Sequence, residues 1–171
     1  MKNWLRTLAL CLVTSGTCAD GPLTVPKDAL ALATAHGCEP ISDYFATRTT
    51  AEEAPPYALI SGDAHKLQVA VWCTFDPTKP EGQRSYMLLV RIDDASNPLA
   101  GCPAEIAKPK QIGGLRFIDI SGDLKYYYYV GTRKQVATTG KLRTKGIESS
   151  YDGTGERYAC INGKWAFNAF D

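Results

Sequence analysis

Four consecutive tyrosines, Tyr126–Tyr129, stand inside a run of lysines and arginines, and this combination suits molecular recognition. A tyrosine ring offers a large contact area with only two side-chain torsions to immobilise. In a β-strand successive side chains point to opposite faces. Leu124, Tyr126, Tyr128 and Val130 are therefore expected to face a core, with Lys125, Tyr127 and Tyr129 facing solvent. From Lys108 to Lys145, nine basic residues stand against Asp119 and Asp123, a local net charge of +7. Residues 20–107 hold twelve acidic and six basic residues, a net of −6. Exposed tyrosines beside Lys and Arg are the composition of protein-binding hot spots. The same mixture can stack bases or sugars, and basic side chains also guard an edge strand against aggregation. The expected partner face comprises Lys125, Tyr127, Tyr129, Arg133, Lys134, Lys141 and Arg143.

Catalytic chemistry has no comparable signal. The two histidines, His36 and His65, lack a nearby nucleophile in a recognisable setting. There is no G-x-S-x-G, no H-E-x-x-H and no phosphate-cradling glycine loop. The sequence thus reads as a non-enzyme, with no cofactor and no metal. Asp152-Gly153-Thr154-Gly155-Glu156 resembles a fragment of a calcium loop, but such a loop needs more oxygen ligands at defined steps. A plain turn is expected there. Ile60-Ser61-Gly62-Asp63 recurs as Ile120-Ser121-Gly122-Asp123. Paired aspartates would be one reading of that repeat; Ser-Gly is turn chemistry, and two tight hairpins are the expectation.

The elements that must position these residues begin after a leader. Lys2 and Arg6, the apolar run Leu8–Val13 and the small residues Thr17-Cys18-Ala19 have the shape of a secretory signal peptide over residues 1–19. Cleavage before Asp20 fits better than lipidation of Cys18, because Ser15 and Thr17 suit a lipoprotein signal poorly. The apolar run is too short to span a bilayer. Without Lys2 and Arg6 the chain holds 17 basic and 18 acidic residues, which argues against bulk attraction to nucleic acid. Residues 20–171 are enough for one ordinary core. Export implies an oxidising compartment, so Cys38, Cys73, Cys102 and Cys160 are expected to form two disulfides, with three pairings open. No C-x-x-C and no His at zinc-finger spacing favour a metal or redox role.

One helix is legible, over residues 26–37. Pro26 suits a first helical turn, Asp28 sits near the positive end of the dipole, and Gly37 is placed to stop the helix. Residues 46–56 read as a loop. Lys66–Phe75 alternates, with Leu67, Val69, Val71, Cys73 and Phe75 on one face and Gln68, Ala70, Trp72 and Thr74 on the other. Tyr86, Leu88, Val90 and Ile92 mark a second strand, and residues 93–114 read as loop. Asn162-Gly163 is the strongest hairpin signal. As a two-residue turn it sets Cys160 opposite Trp165 and Tyr158 opposite Phe167.

The expected fold is mostly β (α+β): a single antiparallel β-sheet or barrel-like domain of hairpins, one short N-terminal helix and two disulfides. The expected role is a secreted or periplasmic protein that neutralises or caps a protein partner with an acidic surface, of toxin-immunity or hydrolase-inhibitor type. An envelope module for a glycan or polyanion, and a small hydrolase, are the alternatives. Gly153-Thr154-Gly155-Glu156-Arg157-Tyr158 with Gly163-Lys164-Trp165 is similar to the final strands of bacterial periplasmic lysozyme inhibitors. Those are small antiparallel barrels that plug a lysozyme cleft. The resemblance is confined to these residues; Ser149 and Ser150 sit too far upstream to match that family's loop serine, and no inhibitory residue carries over.

Overall fold

The computed structural model describes residues 24–41, 54–61, 66–107, 112–130 and 133–170. The expected leader, the residue 46–53 part of the expected loop, Gly62, Asp63 and His65 lie outside these residues. The chain is mostly β, with one short α-helix, antiparallel sheets and two disulfides.

Helix α1 spans Lys27–Ala35. It is built from alanines and leucines, good helix formers, and buries Ala29, Leu32 and Ala33. Pro26 takes the N-cap position rather than the first helical turn, and its carbonyl accepts from Leu30 N–H at 2.9 Å. At the other end Gly37 has φ +68°. Its N–H donates to Thr34 O, while Cys38 N–H donates back to Ala33 O at 3.1 Å. That double closure needs a left-handed residue, which glycine adopts without a Cβ clash.

The first sheet contains β1 (Glu39–Pro40), β2 (Tyr57–Ile60), β3 (Gln68–Thr74), β4 (Tyr86–Ile92) and β5 (Glu105–Ala107). All pairings are antiparallel, with β3 central: β1 and β2 pair with it on one side, β4 on the other, and β5 follows β4. The alternation expected for β3 is present, and both faces are buried. Val69, Val71 and Cys73 pack with α1, whereas Ala70 and Trp72 face the opposite way. Residues 93–114 are not all loop. They hold a 3-10 turn at Pro98–Gly101 and strand β5, because Glu105–Ala107 pairs with Met87–Leu89.

The second sheet is a closed four-stranded barrel of β6 (Gly114–Val130), β7 (Arg133–Tyr151), β8 (Thr154–Ile161) and β9 (Lys164–Phe170). The β8–β9 hairpin follows the sequence reading. Asn162 and Gly163 have φ +53° and +71°, the mirror-image turn that suits strand twist, and Cys160 pairs with Trp165 and Tyr158 with Phe167. Asp152-Gly153 forms a second such turn between β7 and β8. Ile120-Ser121-Gly122-Asp123 is not a hairpin. It lies inside β6, paired residue by residue with Lys141–Thr144 of β7. Gly122 and Gly140 have φ +137° and +104°, so backbone open to glycine alone lies midway along both strands of this long ribbon. Its two ends then close the barrel: residues 146–151 of β7 pair with β8, and Tyr127 of β6 pairs with Phe167 of β9.

Sheet and barrel share a core. Ala70, Trp72, Leu88 and Val90 of the sheet pack with Leu115, Ile147, Tyr158 and Phe167 of the barrel. Trp72 is fully buried and its indole N–H donates to Gly113 O at 2.9 Å. The disulfides reinforce both junctions. Cys38–Cys73 ties the end of α1 to β3, and Cys102–Cys160 ties the segment after the 3-10 turn to β8. These pairings select one of the three that the cysteine count left open.

Candidate functional site

In an antiparallel ladder, directly opposed residues point to the same face. The β6–β7 register therefore assembles one row from two strands. Asp119 faces Lys145, Ser121 faces Arg143, Asp123 faces Lys141, Lys125 faces Thr139, Tyr127 faces Val136 and Tyr129 faces Lys134. Lys125, Lys134, Lys141, Arg143 and Lys145 in this row are exposed. Of the seven residues expected on the partner face, Lys125, Tyr127, Lys134, Lys141 and Arg143 occupy it. Tyr129 pairs with Lys134 and Arg133 with Val130 in the register, and the side chains of Tyr129, Val130 and Arg133 lie outside the described residues.

The other face of the ribbon is the barrel interior. Ile120 and Tyr126 are buried there, and Leu124 and Tyr128 pack against them, as alternation predicts. Tyr128 donates its hydroxyl hydrogen to Ile161 O at 2.9 Å. Burial pushes the Tyr126 hydroxyl up to about 12, opposed by the charge of Arg157.

Tyr127 departs from the sequence expectation of a freely exposed ring. Closure of the barrel places it 6.1 Å from Phe167, centroid to centroid, and it packs at the margin of the shared core. A register shift between Tyr126 and Tyr127 adds to this, because Thr138 and Val136 oppose them and Ala137 is left over in β7. Lys125 Nζ lies 5.5 Å and Lys134 Nζ 5.0 Å from the Tyr127 centroid, and Lys134 is also 5.3 Å from the Phe167 centroid. Each contact contributes about 0.5–1 kcal/mol at an exposed site. The effect is to hold two otherwise mobile ammonium groups in place around one aromatic centre.

Two members of this surface were not singled out from sequence. Val136 is a large apolar side chain left 54% exposed beside Tyr127, and Lys145 extends the row to an ion pair with Asp119 at 2.5 Å. The missing signal was strand β7 itself, whose lysines, threonines and glycines show little apolar alternation.

A buried polar group elsewhere also escaped notice. Glu156 is 5% exposed and accepts a hydrogen bond from the Tyr158 hydroxyl at 2.5 Å. A Glu and a Tyr two apart on a strand share a face, which was the available signal. Glu156 is thus shielded from solvent and tied to Tyr158 within β8. His36 Nδ1 lies 3.2 Å from Glu105 Oε1, linking the end of α1 to β5. Among the described residues no three His, Cys, Asp or Glu side chains gather as a metal cage. No described helix is long and apolar enough to cross a membrane.

What the β6–β7 face can do chemically is present fixed positive charge around an apolar centre. The chain matches no protein-family model, no curated protein and no solved structure.

Proposed function

We propose that this chain is an exported protein that caps an acidic surface of a protein partner through the outer face of the β6–β7 ribbon, as an immunity protein or hydrolase inhibitor does. The observation that carries this reading is the Tyr127 centre, with Lys125 and Lys134 over its ring and exposed Val136 opposite it. An apolar anchor ringed by preorganised charge suits a protein interface, because little side-chain entropy remains to be lost on binding. The same geometry weighs against a base or sugar platform, since a stacking ligand must first displace a lysine from Tyr127. A polyanion reading draws on Lys141, Arg143 and Lys145 at every second residue of β7, but Asp119 and Asp123 stand opposite two of them.

Two outcomes follow. Once a partner is captured, Tyr127→Ala should weaken its binding by about 2 kcal/mol or more. Lys125→Gln with Lys134→Gln should slow association at low salt and lose most of that effect at high salt. Titrations with melts on the same variants check both; unchanged affinity in stably folded variants would dispose of the proposal, and retention of heparin but of no protein would favour the polyanion alternative. Export is tested separately by intact mass of material from the native host. The expected chain begins at Asp20 with both disulfides formed and no lipid. A diacyl or triacyl adduct on Cys18, or an uncleaved leader, would refute it.

A further inference from the structure

One end of the basic row borders a groove of about 590 Å³, lined by Pro98, Asp119, Ser121, Arg143, Thr144 and Lys145 among others. That volume lies within the usual range for ligand sites, roughly 300–1,000 Å³. One wall is the 3-10 turn, and it is firmly held. Asn97 Oδ1 accepts from Leu99 N–H at 3.0 Å, Leu99 is 1% exposed, and the Cys102–Cys160 disulfide anchors the turn's far end to β8. The opposite wall is the β6–β7 ladder, where Ser121 faces Arg143. Both walls are therefore set before anything binds.

The charges are unevenly partnered. Lys145 is engaged by Asp119 at 2.5 Å, whereas Arg143 makes no ion pair or side-chain hydrogen bond with any described residue. Arg143, Lys145 and Asp119 together leave a net of one positive charge in the groove. A planar guanidinium with free donors matches a carboxylate through two parallel N–H···O bonds. The Ser121 hydroxyl on the facing strand supplies a further donor, and Pro98 gives an apolar contact beside it.

We propose that this groove is a carboxylate-binding site, in which Arg143 forks onto a single carboxylate carried next to a short apolar group. The inference rests on the capping role above, for which the carboxylate is an acidic side chain of the partner; a free small carboxylic acid has the same chemistry. It assigns Arg143 a different task from Lys125 and Lys134, which surround the apolar centre at the other end of the row.

The test uses isotopically labelled full mature protein with both disulfides intact, followed by NMR. Four probes are titrated: butyrate, its neutral isostere butyramide, inorganic sulfate, and a short blocked peptide carrying Glu beside Leu. Butyrate and the peptide should shift the Arg143 Nε–H signal and the backbone amides of Ser121 and Thr144, while butyramide should not. Arg143→Gln should weaken these shifts by about tenfold or more, and Lys134→Gln should leave them in place. Tighter binding of the peptide than of butyrate assigns the site to a partner side chain, and equal binding assigns it to a free acid. Shifts that survive Arg143→Gln, that butyramide reproduces, or that spread evenly over Lys125, Lys134 and Lys141 would overturn the proposal, as would no shift at all. A captured protein partner that is insensitive to Arg143→Gln but sensitive to Tyr127→Ala would remove the groove and keep the capping role. Butyrate binding in the groove with no effect of Tyr127→Ala on any partner would do the reverse.

Discussion

Replacing Cys102 and Cys160 together by alanine should lower the unfolding free energy by about 4 kcal/mol. The bridge closes a loop of sequence separation 58, and restricting a chain of that length removes roughly this much from the unfolded ensemble in the loop-entropy picture. Its place adds a second consequence. Cys102 follows the sheet's 3-10 turn and Cys160 sits on β8, so the bridge crosses between sheet and barrel. Cys38–Cys73 closes a separation of 35 and ties α1 to β3 within the other half of the molecule. Loss of Cys102–Cys160 should therefore reduce the cooperativity of unfolding as well as its midpoint. Urea unfolding followed by tryptophan fluorescence and by far-UV circular dichroism measures both. A loss under about 1 kcal/mol with coincident transitions would show that the shared core around Trp72 is sufficient alone.

Tyr126→Ala should cost about 3–5 kcal/mol, the usual penalty for truncating a buried large aromatic. Tyr126 is fully buried in the barrel, between β6 and the alanines Ala159 and Ala166. Tyr126→Phe should behave in the opposite sense. The Tyr126 hydroxyl is buried with no hydrogen-bond partner among the described residues. Removing an unsatisfied buried donor while keeping the ring should be neutral or stabilise by about 1 kcal/mol. Alkaline pH separates the two forms further. Burial raises the hydroxyl from 10.0 to about 12, so the folded chain holds this proton more tightly than the unfolded chain does. The stabilisation from the neutral hydroxyl is complete below about pH 10 and is lost as pH rises towards 12. The phenylalanine variant has no such proton, and its advantage should widen through that window. Urea unfolding at neutral pH and at pH 10–12 gives the answer; parallel stability curves for wild type and Tyr126→Phe would show that water reaches the hydroxyl.

Elements whose signals are local were legible in the sequence. The stop of α1 at Gly37, the two-faced alternation of β3 and the Asn162-Gly163 turn each depend on a few neighbouring residues. Strand β7 was not legible, and its glycines show why. Gly146 sits where a Cβ would lie 2.2 Å from Ile120 Cδ1, so the crowded interior of the barrel excludes the apolar side chain that would have marked a strand. The second Ile-Ser-Gly-Asp segment failed for a related reason. Ser-Gly has turn chemistry wherever it occurs, and only pairing with Lys141–Thr144 keeps Ile120–Asp123 extended within β6.

From sequence alone come the alternation of Lys125, Tyr127 and Tyr129 against Leu124, Tyr126 and Tyr128, the clustering of positive charge, and the even number of cysteines. These are properties of residue type and of the two-residue period of a strand. The tertiary structure decided which cysteines join, which bases share a row with which acids, and how much of Tyr127 remains open. The cysteine pairing joins segments distant in the chain, the row of charges is set by the β6–β7 register with its shift between Tyr126 and Tyr127, and the cover over Tyr127 comes from its pairing with Phe167 when the barrel closes. Hydrogen-bonded pairing satisfies backbone groups without regard to side-chain charge, so the placement of Asp119 beside Lys145, and of Arg143 with no such partner among the described residues, follows from the β6–β7 register rather than from any pattern of residue type.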